Sequence, residues 1–414
     1  MSAGPRQFWV RLHRWAGLAT ALFLFIAGLT GAVLVFEEEL DAWLNPALMR
    51  AAPPAGGGPM MDPYALREAV QRQLPWARVD QLPLRREPGH SVSLRLAPRL
   101  DAASGRPLPL AATHAYVDPY SGAVLGVRQE GRLSLARQDL IPMLYRIHCE
   151  LALPGIWGRL LFGVIALVWT LDCFAGFYLT LPTRGARRGG FWRGWKPAWL
   201  IKRGAGAARI TLDVHRAFSL WLWALLLVYA WSSVMFNLRA QVYQPLMSAI
   251  LPFDTSWREA PVLPRPIAEP GLDWREAHAA ARAEMAVLAR ERGFTVDGEE
   301  MLMLDRRRGL YGYLAHSDAD LRSRVGNTGI LIDAASGERR GIYLPTRGAA
   351  GDTFSNWLGA LHMAHVFGLP YRLLALATGL AVAALSVTGV MIWWRKRRGR
   401  RRQLPAASRM RVTR

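Results

Sequence analysis

Four of the nine histidines fall at places that repeat along the chain. His13 and His215 are each followed by arginine at the start of an apolar run, and His148 and His362 each stand shortly before another. Imidazoles from two neighbouring helices can clamp the iron of a b-type haem from opposite faces. A single histidine at a helix end is ordinarily an interfacial polar group. Repetition is what raises these four above that reading, because ionisable groups inside apolar spans are rare and usually functional. The expected pairs of axial ligands are His13 with His215 and His148 with His362; His365, a helical turn beyond His362, can replace it or line its pocket. Gly17 and Ser219 each lie four residues after their histidine, which keeps that helical face small enough for a flat ring to approach. Arg14 and Arg216 are suited to haem propionates at one end, and Arg146, Arg159 or Arg372 at the other. Asp172, deep in an apolar run, reads equally as a proton-relay or haem-tuning group and as a hydrogen-bonded structural acid. His90, His114, His278 and His316 show no metal-ligand spacing and read as surface or structural residues.

The elements that must position these histidines are apolar segments of about 20 residues, the length that crosses a hydrocarbon core. They run from Trp15 to Phe36, Leu160 to Leu181, Phe218 to Leu238 and Leu373 to Trp394. The first is too long for a signal-peptide core and is followed by Glu37-Glu38-Glu39 with no small-residue cleavage pattern, so it reads as a retained helix. A mean hydropathy of only +0.09 implies sizeable water-exposed segments between the spans. The formal charge of +21 would suit a nucleic-acid binder, but its distribution follows membrane topology instead. Arg184, Arg187, Arg188, Arg193, Lys196, Lys202, Arg203 and Arg209 fill an acid-free link between the second and third spans, and the tail opens Arg395-Lys396-Arg397-Arg398. The positive-inside rule then puts both termini and this link in the cytoplasm and the two long connections outside. Nucleic acid is not an expected partner; a lipid bilayer is. Cys149 and Cys173 would stand roughly 36 Å apart on a continuous helix, too far for a disulfide.

The chain reads as one unit written twice, with matches offset by 202 to 215 residues. Arg67-Glu68-Ala69 is answered by Arg275-Glu276-Ala277, and Asp118-Pro119-Tyr120-Ser121-Gly122 by Asp333-Ala334-Ala335-Ser336-Gly337. Arg159 and Gly176 are answered by Arg372 and Gly389. Each Asp-x-x-Ser-Gly predicts a turn between two strands. The expected fold is therefore an α-helical membrane protein, a four-helix bundle carrying two periplasmic α+β domains as an internal duplication. Its expected parts are 1–36 (N-terminus and first span), 37–147 (first outer domain), 148–181 (second span), 182–210 (basic loop), 211–238 (third span), 239–361 (second outer domain), 362–394 (fourth span) and 395–414 (basic tail).

Leu12-His13-Arg14-Trp15-x-Gly17, the run Leu171-Asp172-Cys173-Phe174-Ala175-Gly176-Phe177-Tyr178-Leu179, Leu361-His362 and the two Asp-x-x-Ser-Gly turns together resemble the PepSY-associated transmembrane family, from about Arg11 to Arg398. The resemblance makes the outer domains PepSY-like and favours His362 over His365. Some members are similar to bacterial inner-membrane ferric-siderophore reductases with two b-type haems. It therefore implies two haem b, a ferric siderophore as periplasmic acceptor, and outward electron flow. No Gly-x-Gly-x-x-Gly follows a strand and the cytoplasmic links are too short for a dinucleotide fold, so the donor is expected to be another protein, a membrane quinol or a small reductant. The alternatives are a PepSY-type binding or regulatory membrane protein without redox activity, and a cytochrome serving another periplasmic acceptor.

Overall fold

The computed structural model describes residues 4–101, 106–183, 185, 189–322 and 325–402. Arg184, Arg187 and Arg188 of the basic link, the side chains of Arg400, Arg401 and Arg402, and the tail from residue 403 lie outside the described residues. The chain runs α1 (Pro5–Leu34), α2 (Glu37–Leu44), α3 (Pro46–Met49), β1 (Arg50–Ala51), α4 (Pro63–Gln73), β2 (Ala77–Arg78), β3 (Gln81–Pro83), β4 (Gly89–His90), β5 (Val92–Arg95), β6 (Ala97–Pro98), β7 (His114–Val117) and β8 (Val124–Arg128). There follow α5 (Leu140–Glu150), α6 (Trp157–Thr180), α7 (Phe191–Trp195), α8 (Ala207–Trp221), α9 (Trp223–Asn237), α10 (Gln244–Ser248) and α11 (Trp274–Arg292). The last part comprises β9 (Val296–Asp305), β10 (Leu310–Ser317), β11 (Thr328–Asp333), β12 (Arg339–Tyr343), α12 (Ala350–His362) and α13 (Gly368–Arg402). Two compact units result: a helical one from residues 1–35, 147–244 and 369–414, and an α/β one from 36–146 and 245–368.

In the helical unit α1, α6 and α13 are each long and apolar enough to cross a membrane, and α8 and α9, bent by 71° to each other, pass the same test only as a pair. The sequence predicts the first span from Trp15, but α1 starts at Pro5, because proline's missing N–H and fixed φ suit a first helical turn. His13 therefore sits eight residues inside α1, about 12 Å from its start. His215 sits eight residues inside α8, which begins at Ala207. The bend at Leu222 interrupts the run that the sequence predicts as one helix. No proline or glycine marks it; Trp223 stands there, its indole donating to the Cys173 carbonyl of α6 at 3.0 Å and its ring packed on Phe177. That cross-helix anchor starts α9 on a new axis. Glycines let α1 and α13 touch: a Cβ on Gly28 would lie 2.6 Å from the Gly379 carbonyl oxygen, and one on Gly379 would lie 2.7 Å from that of Gly28.

In the α/β unit each half supplies a helix and an antiparallel sheet. The first half has α4, capped by the Asp62 carboxylate, against β5-β7-β8. The second has α11, opened by an Asp273/Glu276 capping box and closed by left-handed Gly293, against β9 to β12. The two Asp-x-x-Ser-Gly turns form alike: Asp118 accepts from the Tyr120 amide and Asp333 from the Ala335 amide, while Gly122 (φ 72°) and Gly337 (φ 78°) take the left-handed position. The halves also share a sheet, since β3 of the first half adds to β9 of the second in the order β12-β11-β10-β9-β3. Leu82 of β3 is fully buried in the core that holds Leu302, Tyr313 and Ile330, which is what draws this short strand across. Arg306 to Asp80 and Arg85 to Glu300 reinforce the seam.

Candidate functional site

His13 and His215 come together inside the helical unit, their ring centres 6.2 Å apart and their planes inclined by 57°. Each ring is held from behind by a different helix. The Nδ1 of His13 lies 2.9 and 3.0 Å from the two carboxylate oxygens of Asp172 on α6, and the Nδ1 of His215 lies 3.0 Å from Thr388 Oγ1 on α13. Thr388 has a single hydroxyl proton and gives it to the Ala384 carbonyl at 2.7 Å, so toward His215 it accepts. Both imidazoles thus donate from Nδ1 and keep the Nε2 lone pair for a ligand, which is how an outer hydrogen bond sets the tautomer of a metal-binding histidine.

A glycine faces each ring beside its acceptor. A Cβ on Gly176 would stand 3.5 Å from His13 Cε1, and one on Gly389 would stand 3.3 Å from His215 Cε1. These are the two glycines that the duplication makes equivalent, so the pair repeats as a unit: a histidine on one span, with a glycine and an acceptor on the next. Gly17 opens onto empty space, with nothing within 4 Å of an added Cβ, whereas Ser219 turns its hydroxyl back to the Arg216 carbonyl. Arg216 is drawn to Asp213 at 3.0 Å and to the Pro197 carbonyl at 2.5 Å, and its buried Nε has no partner among the described residues. Arg14 is half-buried one residue after His13.

His148, on α5, repeats the arrangement at the far end of α1. Its Nδ1 lies 3.0 Å from Thr30 Oγ1, whose proton goes to the Ile26 carbonyl at 2.7 Å, and a Cβ on Gly31 would meet His148 Cε1 at 2.9 Å. Thr30 is 17 residues beyond His13, about 25 Å along the helix. Three histidines are therefore oriented in one way. The sequence signal for two of them is a Thr-Gly pair, Thr30-Gly31 and Thr388-Gly389, which the reading of the chain had not singled out. His362 and His365 belong to the α/β unit. His362 ends α12, and the chain leaves the helix through Ala364 (φ 54°), so His365 does not continue the His362 face. Arg146 donates to the Gly131 carbonyl, Arg159 meets Glu150 at 3.5 Å and Arg372 donates to the Val35 carbonyl at 2.7 Å. Cys149 and Cys173 are not joined in a disulfide.

The other histidines sit in the α/β unit. His278 is buried between Tyr64 Oη (2.6 Å) and Glu299 (2.8 Å), with Tyr313 and Arg282 on the same carboxylate. Burial works to raise the Glu299 carboxyl, but hydrogen bonds from Arg282, Tyr313 and His278 outweigh it and hold it at about 2. His316 pairs with Asp297 at 2.6 Å, which raises its pKa, and His114 is lowered mainly by burial.

A haem iron held between two spans would need two histidine rings close together, each with a free nitrogen lone pair. The separation of His13 and His215, their shared tautomer and the small glycine beside each ring suit that coordination. No curated protein matches the chain. The family model for the PepSY-associated TM region matches residues 10–396, nearly the full length. On that match the chain belongs to the PepSY-associated TM family.

Proposed function

We propose that the protein is a haem-b-containing reductase of the bacterial inner membrane, carrying electrons outward to a ferric siderophore in the periplasm and releasing its iron as Fe(II). The observation that carries the reading is the neighbouring pair His13 and His215, their ring centres 6.2 Å apart and each Nδ1 engaged. When bound, haem supplies the one-electron chemistry that side chains lack. The residues themselves do four things. His13 and His215 offer Nε2 lone pairs from two spans. Asp172 and Thr388 fix their rings and tautomers. Gly176 and Gly389 leave each ring room beside the neighbouring helix, and Arg14 brings a positive charge next to a site that would receive propionates. His148, held by Thr30 and Gly31 about 25 Å farther along α1, is the ligand proposed for a second haem, whose other ligand rests on the sequence pairing alone.

The orientation belongs to the same proposal: the basic link and tail face the cytoplasm, where reductant is plentiful. Ferric iron in a siderophore sits among hard oxygen ligands that hold Fe(II) less well, so one electron per iron loosens it. The donor is a quinol or a cytoplasmic reductant. A purified preparation should be red, with a Soret band and a sharp α-band on reduction and two haems by pyridine haemochrome. His13→Ala and His215→Ala should each lose the same haem and keep the other. A colourless protein made with adequate haem supply would leave the binding or regulatory reading in its place, and an unchanged two-haem content in both variants would break the pairing. Reoxidation by ferric siderophore, compared with free Fe(III) or Cu(II), separates the proposed acceptor from other periplasmic ones.

A further inference from the structure

Between the ends of α6 and α8 the chain folds around a cleft of about 330 Å³, within the range of small-ligand sites. Four cations line it, Arg193, Lys196, Lys202 and Arg209, over an apolar floor of Pro197, Leu200 and Ile201. Arg209 is committed to Asp213 at 2.9 Å; among the described residues the other three have no carboxylate within ion-pair distance. The segment is built rather than loose. Trp195 is buried against Phe177, with its indole donating to Thr180 Oγ1 at 3.3 Å, and Trp221 donates to the Trp199 carbonyl at 3.2 Å. Around this fixed cleft the apolar surface is bare: Trp192 is 74% exposed and Leu200 is 52% exposed. A soluble anion would satisfy the cations and leave those side chains in water. An anionic headgroup with acyl chains satisfies both, and the cleft lies at the ends of two spans, where such molecules are found.

We propose that this cleft is a binding site for an acidic phospholipid, the phosphate held by Arg193, Lys196 and Lys202 and the glycerol resting on Pro197, Leu200 and Ile201. The site is independent of haem. The full-length protein in detergent is titrated with phosphatidylglycerol and with phosphatidylcholine, and bound lipid is counted by native mass spectrometry. The wild-type chain should retain phosphatidylglycerol and not phosphatidylcholine. The triple variant Arg193→Gln, Lys196→Gln, Lys202→Gln should bind about a hundredfold more weakly, at roughly a factor of five for each basic residue near an anionic headgroup. The control Lys396→Gln, Arg397→Gln, Arg398→Gln should stay close to wild type. Equal retention of the two lipids, or equal loss in the two triple variants, would overturn the proposal. So would displacement of the lipid by inorganic phosphate at matched ionic strength, which would make the cleft a site for a soluble phosphate ligand. The lipid comparison on the wild-type chain does not depend on how any variant folds.

Discussion

Asp172 and Thr388 accept the same Nδ1 proton on their two histidines, but one acceptor is a carboxylate and the other a hydroxyl. An ionised acceptor makes its imidazole the more basic ligand and favours ferric over ferrous iron. Asp172→Asn keeps the acceptor geometry and removes the charge. It should raise the midpoint potential of the haem proposed between His13 and His215 by about 60 mV, the one-electron equivalent of a tenfold change. Redox titration of the reduced α-band reads the shift; an unmoved potential with full haem content would reduce Asp172 to a structural acid. Gly31→Ala tests the other support, since its Cβ would come 2.9 Å from His148 Cε1 and one side must move. The haem assigned to His148 should fall while the His13/His215 haem persists, as separate haem spectra would show. Asp172 was legible in the sequence as a rare ionisable group in an apolar run, and the four histidines as repeated positions at the ends of such runs. The contact between His13 and Asp172 was not, because the two are 159 residues apart and no period in the chain links them. The Thr-Gly supports were hidden for a different reason: threonine and glycine are ordinary residues in membrane helices.

At the level of elements, the first, second and fourth apolar spans and the two turns announced themselves through length and through Asp-x-x-Ser-Gly, because hydrophobic run length and left-handed glycines are local properties. The start of α1 at Pro5 and the bend at Leu222 did not, since the first depends on how far a capped helix extends and the second on a contact from Trp223 to another span. The crossing of α1 and α13 is equally non-local. Gly28 and Gly379 each look unremarkable alone, yet the backbone of each occupies the place of the other's side chain. Gly28→Val should therefore separate the helices or strain them, at a cost of about 1–3 kcal/mol. The measurable result is a lower unfolding temperature of the full-length protein in detergent, and a variant as stable as wild type would show that the crossing tolerates a wider spacing. Trp223→Phe keeps the ring and removes the indole donor, and should loosen the bend while leaving both helices in place.

The repeated helix and Asp-x-x-Ser-Gly turn of the α/β unit were legible, but the joint between its halves was not: β3 is three residues long and ends in proline, too short for a pattern, and only burial of Leu82 among residues of the second half fixes it. Two acids of opposite behaviour make the α/β unit's stability depend on pH. Glu37, pushed up to about 7 by burial and by the neighbouring Glu38 and Glu130, holds its proton more tightly in the folded state. Its contribution is complete below the ordinary carboxyl pKa of 4.5 and is lost as pH rises through 7. Glu299, held at about 2, binds its proton more weakly when folded, so its contribution is complete above 4.5 and is lost as pH falls toward 2. The unit should therefore be most stable in mildly acidic solution, near the point where Glu37 is protonated and Glu299 is still ionised. Unfolding temperatures of the full-length protein across pH 3 to 8 measure the curve. Glu37→Gln should flatten its upper limb between about 4.5 and 7 and leave the lower limb unchanged. Glu299→Gln should lower the curve above about 4.5 by about 2 kcal/mol through lost charged hydrogen bonds and change it little toward pH 2, which flattens the acid limb. A Glu37→Gln curve that still falls as steeply between 4.5 and 7 would mean that the acidic run after α1 is not the source of that slope; His316, raised by Asp297, keeps its full contribution below its ordinary 6.5 and would account only for a fall above it.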